Sequence, residues 1–152
     1  MIKSFQGARA PISKEAPQNI QVKDYMTTKL ITFKAEQSME EAMMILLSKK
    51  ISGAPVVDED QRLIGILSEG DCLKEIIRGK YNNSPHSSGS VGDYMTKDVH
   101  TIDPETSIFD AAGKFLNERI RRFPVVRNGI LIGQISQKDV MRAFTHLRSE
   151  TW

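Results

Sequence analysis

The sequence predicts an α/β fold made of two pseudo-symmetric β-α-β-β-α modules, and an internal repeat is the main reason. Residues 22–27 return as residues 91–96, with five of six positions identical at an offset of 69. The apolar stretch Ala54–Val57 is matched by Phe123–Val126. Both copies then end on glycine, serine and aspartate at the same spacing. Two similar modules in one chain predict a body with two equivalent clefts.

Chain length sets how the copies are expected to pack. The chain has 152 residues, and a module of about 55 residues has only a marginal core of its own. We therefore expect the copies to bury apolar faces against each other, sheet to sheet. The sequence predicts an N-terminal arm over 1–20, a first module over 21–77 and a second module over 91–148. A linker rich in Ser, Asn, Gly and Pro over 78–90 joins the modules, and a tail over 149–152 follows.

The first module is predicted element by element. A short element around Val22 leads to a β-like step over Leu30–Phe33. Ser38 and Glu41 have the spacing of a capping box, which begins a helix. Its apolar residues recur at helical spacing and predict one buried face; they are Met39, Ala42, Met43, Leu46 and Leu47. Two strands joined by a polar turn follow, and then a helix from Asp71 with Leu73, Ile76 and Ile77 on one face.

The second module repeats this order. Ser107 and Asp110 form its capping box, and the face that follows is Ala111, Ala112, Phe115 and Leu116. Its two strands are joined at Asn128-Gly129, a strong signal for a tight hairpin turn. The closing helix is predicted to place Val140, Phe144 and Leu147 inward.

Composition excludes several classes of function. A net charge of +2 is too small to indicate a nucleic-acid or membrane partner. No apolar run approaches the roughly 18 residues of a membrane span, and no signal peptide precedes the modules, so the cytoplasm is the expected compartment. Cys72 is the one cysteine, which excludes an intrachain disulfide. The three histidines share no ligand spacing, so we expect no metal site and no catalytic residue.

The repeated Gly-x-x-Ser-x-x-Asp pattern is the candidate ligand signature. Its residues are Gly65, Ser68 and Asp71 in the first copy, and Gly133, Ser136 and Asp139 in the second. A helix N-terminus attracts phosphate, and an aspartate can accept hydrogen bonds from two ribose hydroxyls. The glycines leave room for a close approach of a ligand. The alternative is that both serine–aspartate pairs only cap their helices, since the spacing also fits a capping box.

These motifs, in this order and duplicated, resemble a tandem pair of cystathionine-β-synthase (CBS) domains, also called a Bateman module. The resemblance covers about residues 20–147. It implies a disc-like body whose two clefts bind adenosyl ligands: AMP, ADP or ATP foremost, then S-adenosylmethionine or NAD, none of them as a catalytic cofactor. It also implies a homodimer and an effector protein that this chain does not identify.

The resemblance assigns ligand-binding positions in both copies. It places the ribose on Asp71 and Asp139 and assigns Ser68 and Ser136 to ribose or phosphate. The stretch before Pro-Val-Val would line the adenine slot, with a threonine at the first strand. In the first copy these residues are Thr32, Ile51, Gly53, Ala54 and Pro55; in the second they are Thr101, Ile120, Phe123 and Pro124.

One difference between the copies predicts a difference in ligand preference. Ser52-Gly53 in the first copy becomes Arg121-Arg122 in the second. In a nucleotide-sensing member of the family, basic residues at this place contact phosphates, and arginine–phosphate bonds are strong. The alternative is a solvated basic patch. Since Glu69 also adds negative charge to the first signature, we expect the Asp139 cleft to bind an anionic ligand better.

The leading hypothesis is a non-enzymatic regulatory module that binds an adenosyl ligand and signals by a conformational or oligomeric change. Two alternatives belong to other classes. An enzyme acting on a nucleotide would need a metal or general base at the phosphates. A scaffold or nucleic-acid-binding protein with empty clefts would show steeply salt-dependent binding to DNA or RNA.

Overall fold

The computed structural model describes residues 20–81 and 89–151, the last two without their side chains. The predicted arm, apart from Ile20, lies outside the described residues, as do linker residues 82–88 and Trp152. The described chain divides into two compact units. The Asp71 unit contains residues 29–81, 89–100 and 128–131. The Asp139 unit contains residues 20–28, 101–127 and 132–151.

The same order of elements occurs in both copies. In the first copy the elements are α1 (Val22–Tyr25), α2 (Met39–Lys49), β1 (Gly53–Val57), β2 (Leu63–Ser68) and α3 (Glu69–Tyr81). In the second they are α4 (Val91–Tyr94), α5 (Ile108–Glu118), β3 (Arg122–Arg127), β4 (Ile130–Ser136) and α6 (Gln137–Thr151). The predicted α/β class is therefore confirmed.

Each copy carries a two-stranded sheet within the described residues. In the Asp71 unit, β1 and β2 run antiparallel, and their register places Gly53 opposite Ser68 and Pro55 opposite Ile66. β3 pairs with β4 in the other sheet. The β3–β4 hairpin turns at Asn128 and Gly129, both with positive φ (53° and 84°), which is the backbone conformation that an Asn-Gly turn favours.

The helix starts predicted from serine capping are present. Ser38 Oγ accepts a hydrogen bond from the Glu41 N–H at 3.0 Å, and Ser107 Oγ accepts one from the Asp110 N–H at 3.0 Å. Both helices end on a left-handed residue, Lys50 and Arg119. Local sequence therefore determines where α2 and α5 begin, whereas neither helix end carries the glycine or asparagine that usually adopts this conformation.

The two copies exchange their N-terminal segments, which we call the first strap (residues 20–27) and the second strap (residues 89–96). Val22 of the first strap is buried with Phe115, Phe123 and the rest of the Asp139 core. Val91 of the second strap is buried with Phe33 and Leu67 in the Asp71 core. Each compact unit is therefore completed by the strap that begins the other copy.

Backbone hydrogen bonds fix both straps in equivalent places. Thr27 exchanges N–H···O bonds of 2.8 and 2.9 Å with Gln134 of β4. Thr96 exchanges bonds of 2.8 and 2.9 Å with Ile66 of β2. Each strap thus adds a short antiparallel bridge beside the strand that carries the glycine of the signature.

The structure differs from the sequence prediction at the first strand and on the apolar helix faces. Of the β-like step Leu30–Phe33, only Phe33 pairs, in an isolated parallel bridge with Val56. Leu47 and Leu116, predicted to be buried, are each 78% exposed, and Phe144 is 44% exposed. The face formed by Leu73, Ile76 and Ile77 is also exposed. These helices bury a narrower stripe than helical spacing suggests, because small two-stranded sheets cover less of each helix.

Candidate functional site

The Asp71 signature forms a compact turn between β2 and α3. The Ser68 N–H and its Oγ hydroxyl both donate to Asp71 Oδ2, at 2.9 and 3.0 Å. The Asp71 N–H points back to Ser68 Oγ at 3.4 Å. Asp71 is only 4% exposed, yet Oδ1 accepts no hydrogen bond from the described residues. That oxygen is the acceptor that this junction leaves for a ligand.

The Asp139 signature forms the same turn between β4 and α6 with different partners. The Ser136 N–H donates to Asp139 Oδ2 at 2.9 Å, and the Asp139 N–H donates to Ser136 Oγ at 3.2 Å. Arg142, one turn along α6, donates through Nη1 to Asp139 Oδ1 at 2.8 Å. Both carboxylate oxygens of this aspartate are therefore engaged.

The capping geometry is present at both signatures, so the alternative interpretation of the serine–aspartate spacing describes a real feature. Capping uses one carboxylate oxygen, Oδ2, in each copy. It does not use the second oxygen, which is why a capping role and a ligand-binding role are compatible at Asp71.

The signature glycines serve a packing role. A Cβ built on Gly65 would lie 2.6 Å from Met95 Sδ and 3.0 Å from the Thr96 carbonyl oxygen. A Cβ on Gly133 would lie 2.6 Å from Met26 Sδ and 3.0 Å from the Thr27 carbonyl oxygen. The glycines therefore have a structural role besides the predicted room for a ligand: they admit the strap of the other copy.

In the Asp71 unit the structure brings the predicted adenine-slot residues beside Ser68. Gly53 lies opposite Ser68 in the ladder, and the Glu69 N–H donates to the Ser52 carbonyl at 3.0 Å. Ala54 is 5% exposed, while Ile51 and Gly53 are partly exposed. Pro55 is buried, and its carbonyl accepts from the Phe33 N–H at 2.9 Å, next to partly exposed Thr32.

In the Asp139 unit the corresponding residues differ in exposure. Arg121 and Arg122 are exposed, and the Arg121 carbonyl accepts from the Gln137 N–H at 3.2 Å, which holds the start of α6. Phe123 is fully buried against Phe115, with ring centroids 4.7 Å apart. Phe123 therefore supports the junction from the core and presents no exposed surface to a ligand.

The remaining predicted positions of the Asp139 unit frame the same junction. Thr101 and Ile120 are partly exposed, and Pro124 is buried. The Ile120 carbonyl accepts from Gln137 Nε2 at 3.2 Å. The Pro124 carbonyl accepts from the Ile102 N–H at 3.0 Å, one residue after Thr101.

One turn beyond Asp71, α3 carries an ionic cluster that holds the second strap. Glu75 is 6% exposed and accepts from Tyr94 Oη at 2.6 Å and from the Gly89 N–H at 2.8 Å. Arg78 Nη1 lies 3.2 Å from Glu75 Oε1 and 2.9 Å from Tyr94 Oη. Burial alone raises the pKa of Glu75, but the bonds from Tyr94 and Gly89 and the charge of Arg78 outweigh it, so the net pKa lies below its usual value.

Two neighbouring groups respond to the same surroundings. Burial, followed by the hydrogen bond to Glu75, raises the pKa of Tyr94, which keeps the phenol protonated. Burial, assisted by the charges of Asp71 and Glu69, raises the pKa of the Cys72 thiol. Cys72 is 7% exposed, so it is an inert core residue rather than a nucleophile.

The Asp139 unit has a tyrosine–histidine pair in the corresponding place. Tyr25 Oη lies 2.7 Å from His146 Nδ1, and the two rings are 5.5 Å apart. Ala143, fully buried, occupies the position that corresponds to Glu75. Across residues 20–81 and 89–151, no group of three His, Cys, Asp or Glu side chains is arranged to hold a metal ion. The same residues include no helix with the length and apolar content to cross a membrane.

Sequence reasoning missed Arg142 and the Glu75 cluster. The signal for Arg142 was present, since an arginine three residues after an aspartate on a helix is placed for an ion pair. The Glu75–Arg78 pair has the same i,i+3 signal. The other partners of Glu75, Tyr94 and Gly89, have none, because they arrive from the second strap.

Comparison with known proteins identifies both repeats. The CBS domain family matches residues 22–78 and 91–146. CBSX2, a chloroplastic CBS domain-containing protein of Arabidopsis thaliana, is 31% identical over 156 residues, covering 86% of this chain and 66% of the relative. Protein MJ1225 of Methanocaldococcus jannaschii is 29% identical over 137 residues, covering 86% of this chain and 47% of the relative. The chain thus spans about half to two thirds of the length of these relatives.

Solved structures of CBS pairs share the fold. CBSX2 in complex with AMP superposes with a TM-score of 0.73 at 32% identity, covering 85% of this chain and 98% of CBSX2. The CBS domain pair of protein MJ0100, in complex with 5′-methylthioadenosine and S-adenosyl-L-methionine, gives a TM-score of 0.65 at 28% identity, covering 83% and 96%. Both of these relatives hold an adenosyl ligand.

Proposed function

The chain belongs to the CBS domain family, and from that premise we propose that it is a non-enzymatic regulatory module that binds an adenosyl ligand, with AMP, ADP or ATP as the first candidates. The observation that carries the proposal is the duplicated strand–Ser-x-x-Asp–helix junction, in which the buried Asp71 keeps Oδ1 as an acceptor. A ribose offers two neighbouring hydroxyl donors, which is the chemistry that such a carboxylate accepts.

The candidate contacts come from segments that the hydrogen bonds hold beside each junction. In the Asp71 unit they are Ser68, Asp71, Thr32 and residues 51–55. In the Asp139 unit they are Ser136, Asp139, Thr101, Arg121 and Arg122, with Ile120, Phe123 and Pro124 behind them. The exposed arginines favour phosphate at this junction, because a guanidinium bonds phosphate with charge assistance. That CBSX2 binds AMP and that the MJ0100 pair binds S-adenosylmethionine supports the ligand class.

Ligand binding would act by population shift. A ligand moves an equilibrium between two arrangements only as far as its affinity differs between them. In the Asp71 unit, the α3 helix that begins at the signature also carries the Glu75 cluster and so contacts the second strap. A change at Asp71 can therefore reach the chain that leads into the second copy.

The proposal includes a homodimer that acts in the cytoplasm through a separate effector protein. The exposed apolar residues on α2 and α5 support self-association: Met44 is 66% exposed, and Leu47 and Leu116 are each 78% exposed. Sedimentation velocity of the intact protein, with and without AMP, tests the dimer.

Titration calorimetry tests the function. AMP, ADP, ATP, NAD and S-adenosylmethionine are titrated into the wild type and into Asp71→Ala and Asp139→Ala variants. We expect binding of at least one nucleotide and a loss of about tenfold or more in affinity at the altered junction, because each aspartate supplies a charged acceptor.

A matched control separates binding from capping. Asp93 also caps a helix, accepting from the Ser90 N–H at 3.0 Å, and lies outside the predicted clefts. The Asp93→Ala variant should lose this helix cap but bind the ligand with unchanged affinity. If no ligand binds the wild type, the serine–aspartate pairs only cap their helices and the proposal is wrong.

A further inference from the structure

The two signature junctions have the same residues at the same spacing but different hydrogen bonds. At the Asp71 junction the Ser68 hydroxyl donates to the carboxylate, and Oδ1 is left open by the described residues. At the Asp139 junction the Ser136 hydroxyl accepts from the Asp139 N–H and, among the described residues, gives no bond to the carboxylate. Here Oδ1 is held by Arg142 instead.

The residue three positions after each aspartate explains the difference. It is Lys74 in the first copy and Arg142 in the second. Lys74 forms no ion pair or hydrogen bond with the described residues, whereas Arg142 reaches Oδ1 at 2.8 Å. The planar guanidinium is preorganised for a carboxylate, while a lysine loses more freedom for a single bond. The Asp139 side chain is 10% exposed and the Arg142 side chain is 51% exposed, so water screens this pair in part and the bond is of modest strength.

The two junctions consequently offer opposite chemistry. Ribose hydroxyls are donors and bind most strongly to a carboxylate oxygen that no cation holds, and Asp71 Oδ1 has no such partner among the described residues. Phosphate oxygens are acceptors and need donors, which the Asp139 junction has in the Ser136 hydroxyl and the exposed Arg121 and Arg122. We propose that Arg142 is a specificity-determining positioning residue: by holding Asp139 Oδ1, it makes binding at this junction depend on the phosphate of the ligand. The Asp71 junction accepts a nucleoside without that requirement.

This inference rests on the proposed function and sharpens it. A nucleoside that binds at Asp139 competes with Arg142 for Oδ1, whose acceptor strength the guanidinium already reduces, and it offers the guanidinium nothing in return. A nucleotide meets the same competition, but it brings a phosphate with which the cationic side chains can pair. Adenosine should therefore bind the Asp139 junction about three- to tenfold more weakly than it would without the Arg142 bond.

A charge-conserving exchange between the copies tests the inference. Arg142→Lys gives the second copy the residue of the first, and Lys74→Arg gives the first copy the residue of the second. Each is measured with the other junction silenced, by Asp71→Ala and Asp139→Ala respectively, in calorimetric titrations with adenosine and with AMP. The readout is the ratio of the adenosine Kd to the AMP Kd.

We expect Arg142→Lys to lower this ratio about three- to tenfold at the Asp139 junction, and Lys74→Arg to raise it by a similar factor at the Asp71 junction. The inference requires both changes. A ratio that stays constant in either exchange overturns it, including the case in which both affinities change by one factor, which a purely structural role would produce.

The outcomes separate the inference from the proposed function. If the wild type binds neither adenosine nor AMP, nor any other adenosyl ligand, the proposed function is wrong. If it binds and the ratio does not respond, only the role of Arg142 is wrong. The two exchanges are also made without the silencing substitutions, and thermal melting checks folding, so an unstable background does not remove the test.

Discussion

The helices that follow the two signatures hold their straps in different ways, although their backbones correspond. In the Asp71 unit, buried Glu75 accepts two hydrogen bonds from the second strap, and Arg78 joins the cluster. In the Asp139 unit, Ala143 is apolar, and the side-chain bond described between the first strap and this helix joins Tyr25 and His146. Both copies share the backbone hydrogen bonds that hold the exchanged straps. The side chains that contact the straps differ between the copies.

This difference shows that a duplicated fold tolerates a buried acid in one copy and an apolar residue at the equivalent position of the other. A buried carboxylate is stabilising only where enough donors reach it, as Tyr94 and Gly89 reach Glu75. In the Asp139 unit the equivalent tyrosine, Tyr25, bonds His146, and the small apolar Ala143 fills the place of Glu75 against the core. The three predictions below test this account in order of expected effect.

The largest loss of stability is expected from placing a glutamate in the Asp139 unit, at the position that corresponds to Glu75. Ala143→Glu puts a carboxylate at a fully buried position where Tyr25, the equivalent of Tyr94, already bonds His146, and where His146 replaces the arginine of the first copy. We expect the free energy of unfolding to fall by about 3 kcal/mol or more, because an unpaired buried charge is costly. Urea denaturation followed by circular dichroism measures this loss. Ala143→Gln has the same size without the charge and should lose less; equal losses would show that volume alone decides.

A smaller effect is expected from removing one hydroxyl in each unit. Tyr94→Phe deletes the 2.6 Å bond to a buried carboxylate and should cost about 1–2 kcal/mol. Tyr25→Phe deletes the bond to exposed His146 and should cost about 0.5 kcal/mol. The two variants are each other's control in the same denaturation experiment. Equal costs would contradict the contrast between the Glu75 cluster and the Tyr25–His146 pair.

The smallest effect is a dependence of stability on acid pH. The pKa of Glu75 is lower in the folded protein than in the unfolded chain. The stability that Glu75 contributes is therefore fully present above its unfolded-state pKa and is lost as the pH falls through its folded-state pKa. The loss is modest because protonated Glu75 keeps its packing. Denaturation of the wild type and of Glu75→Gln between neutral pH and about pH 3 measures it. The wild type should lose its advantage over the variant in acid; a constant difference would contradict the assignment.

The sequence predicts those features that adjacent residues determine. The caps at Ser38 and Ser107 and the Asn128-Gly129 turn follow from local hydrogen bonds and backbone preference, and the structure has all three. The strand–serine–aspartate–helix junctions are also present as predicted. These features need no knowledge of which distant segments meet.

The features that the sequence does not reveal depend on long-range contacts. The glycine of the signature is explained by Met95 or Met26 from the other copy, and a single repeat cannot show that partner. Leu47 and Leu116 have helical spacing but lie outside the face that the small sheets cover. The choice between Lys74 and Arg142 is visible in the sequence, yet its meaning depends on which carboxylate oxygen is already in use.

The exchange of straps has a consequence for how such a protein assembles. A lone copy would have a core that lacks the buried valine at position 22 or 91, and it could fill that place only by capturing a strap from another molecule. Joining the copies in one chain replaces that bimolecular event with an intramolecular one. The local concentration of each strap is then on the order of millimolar at any dilution of the protein. Duplication has thus made completion of both cores independent of how much of the protein is present.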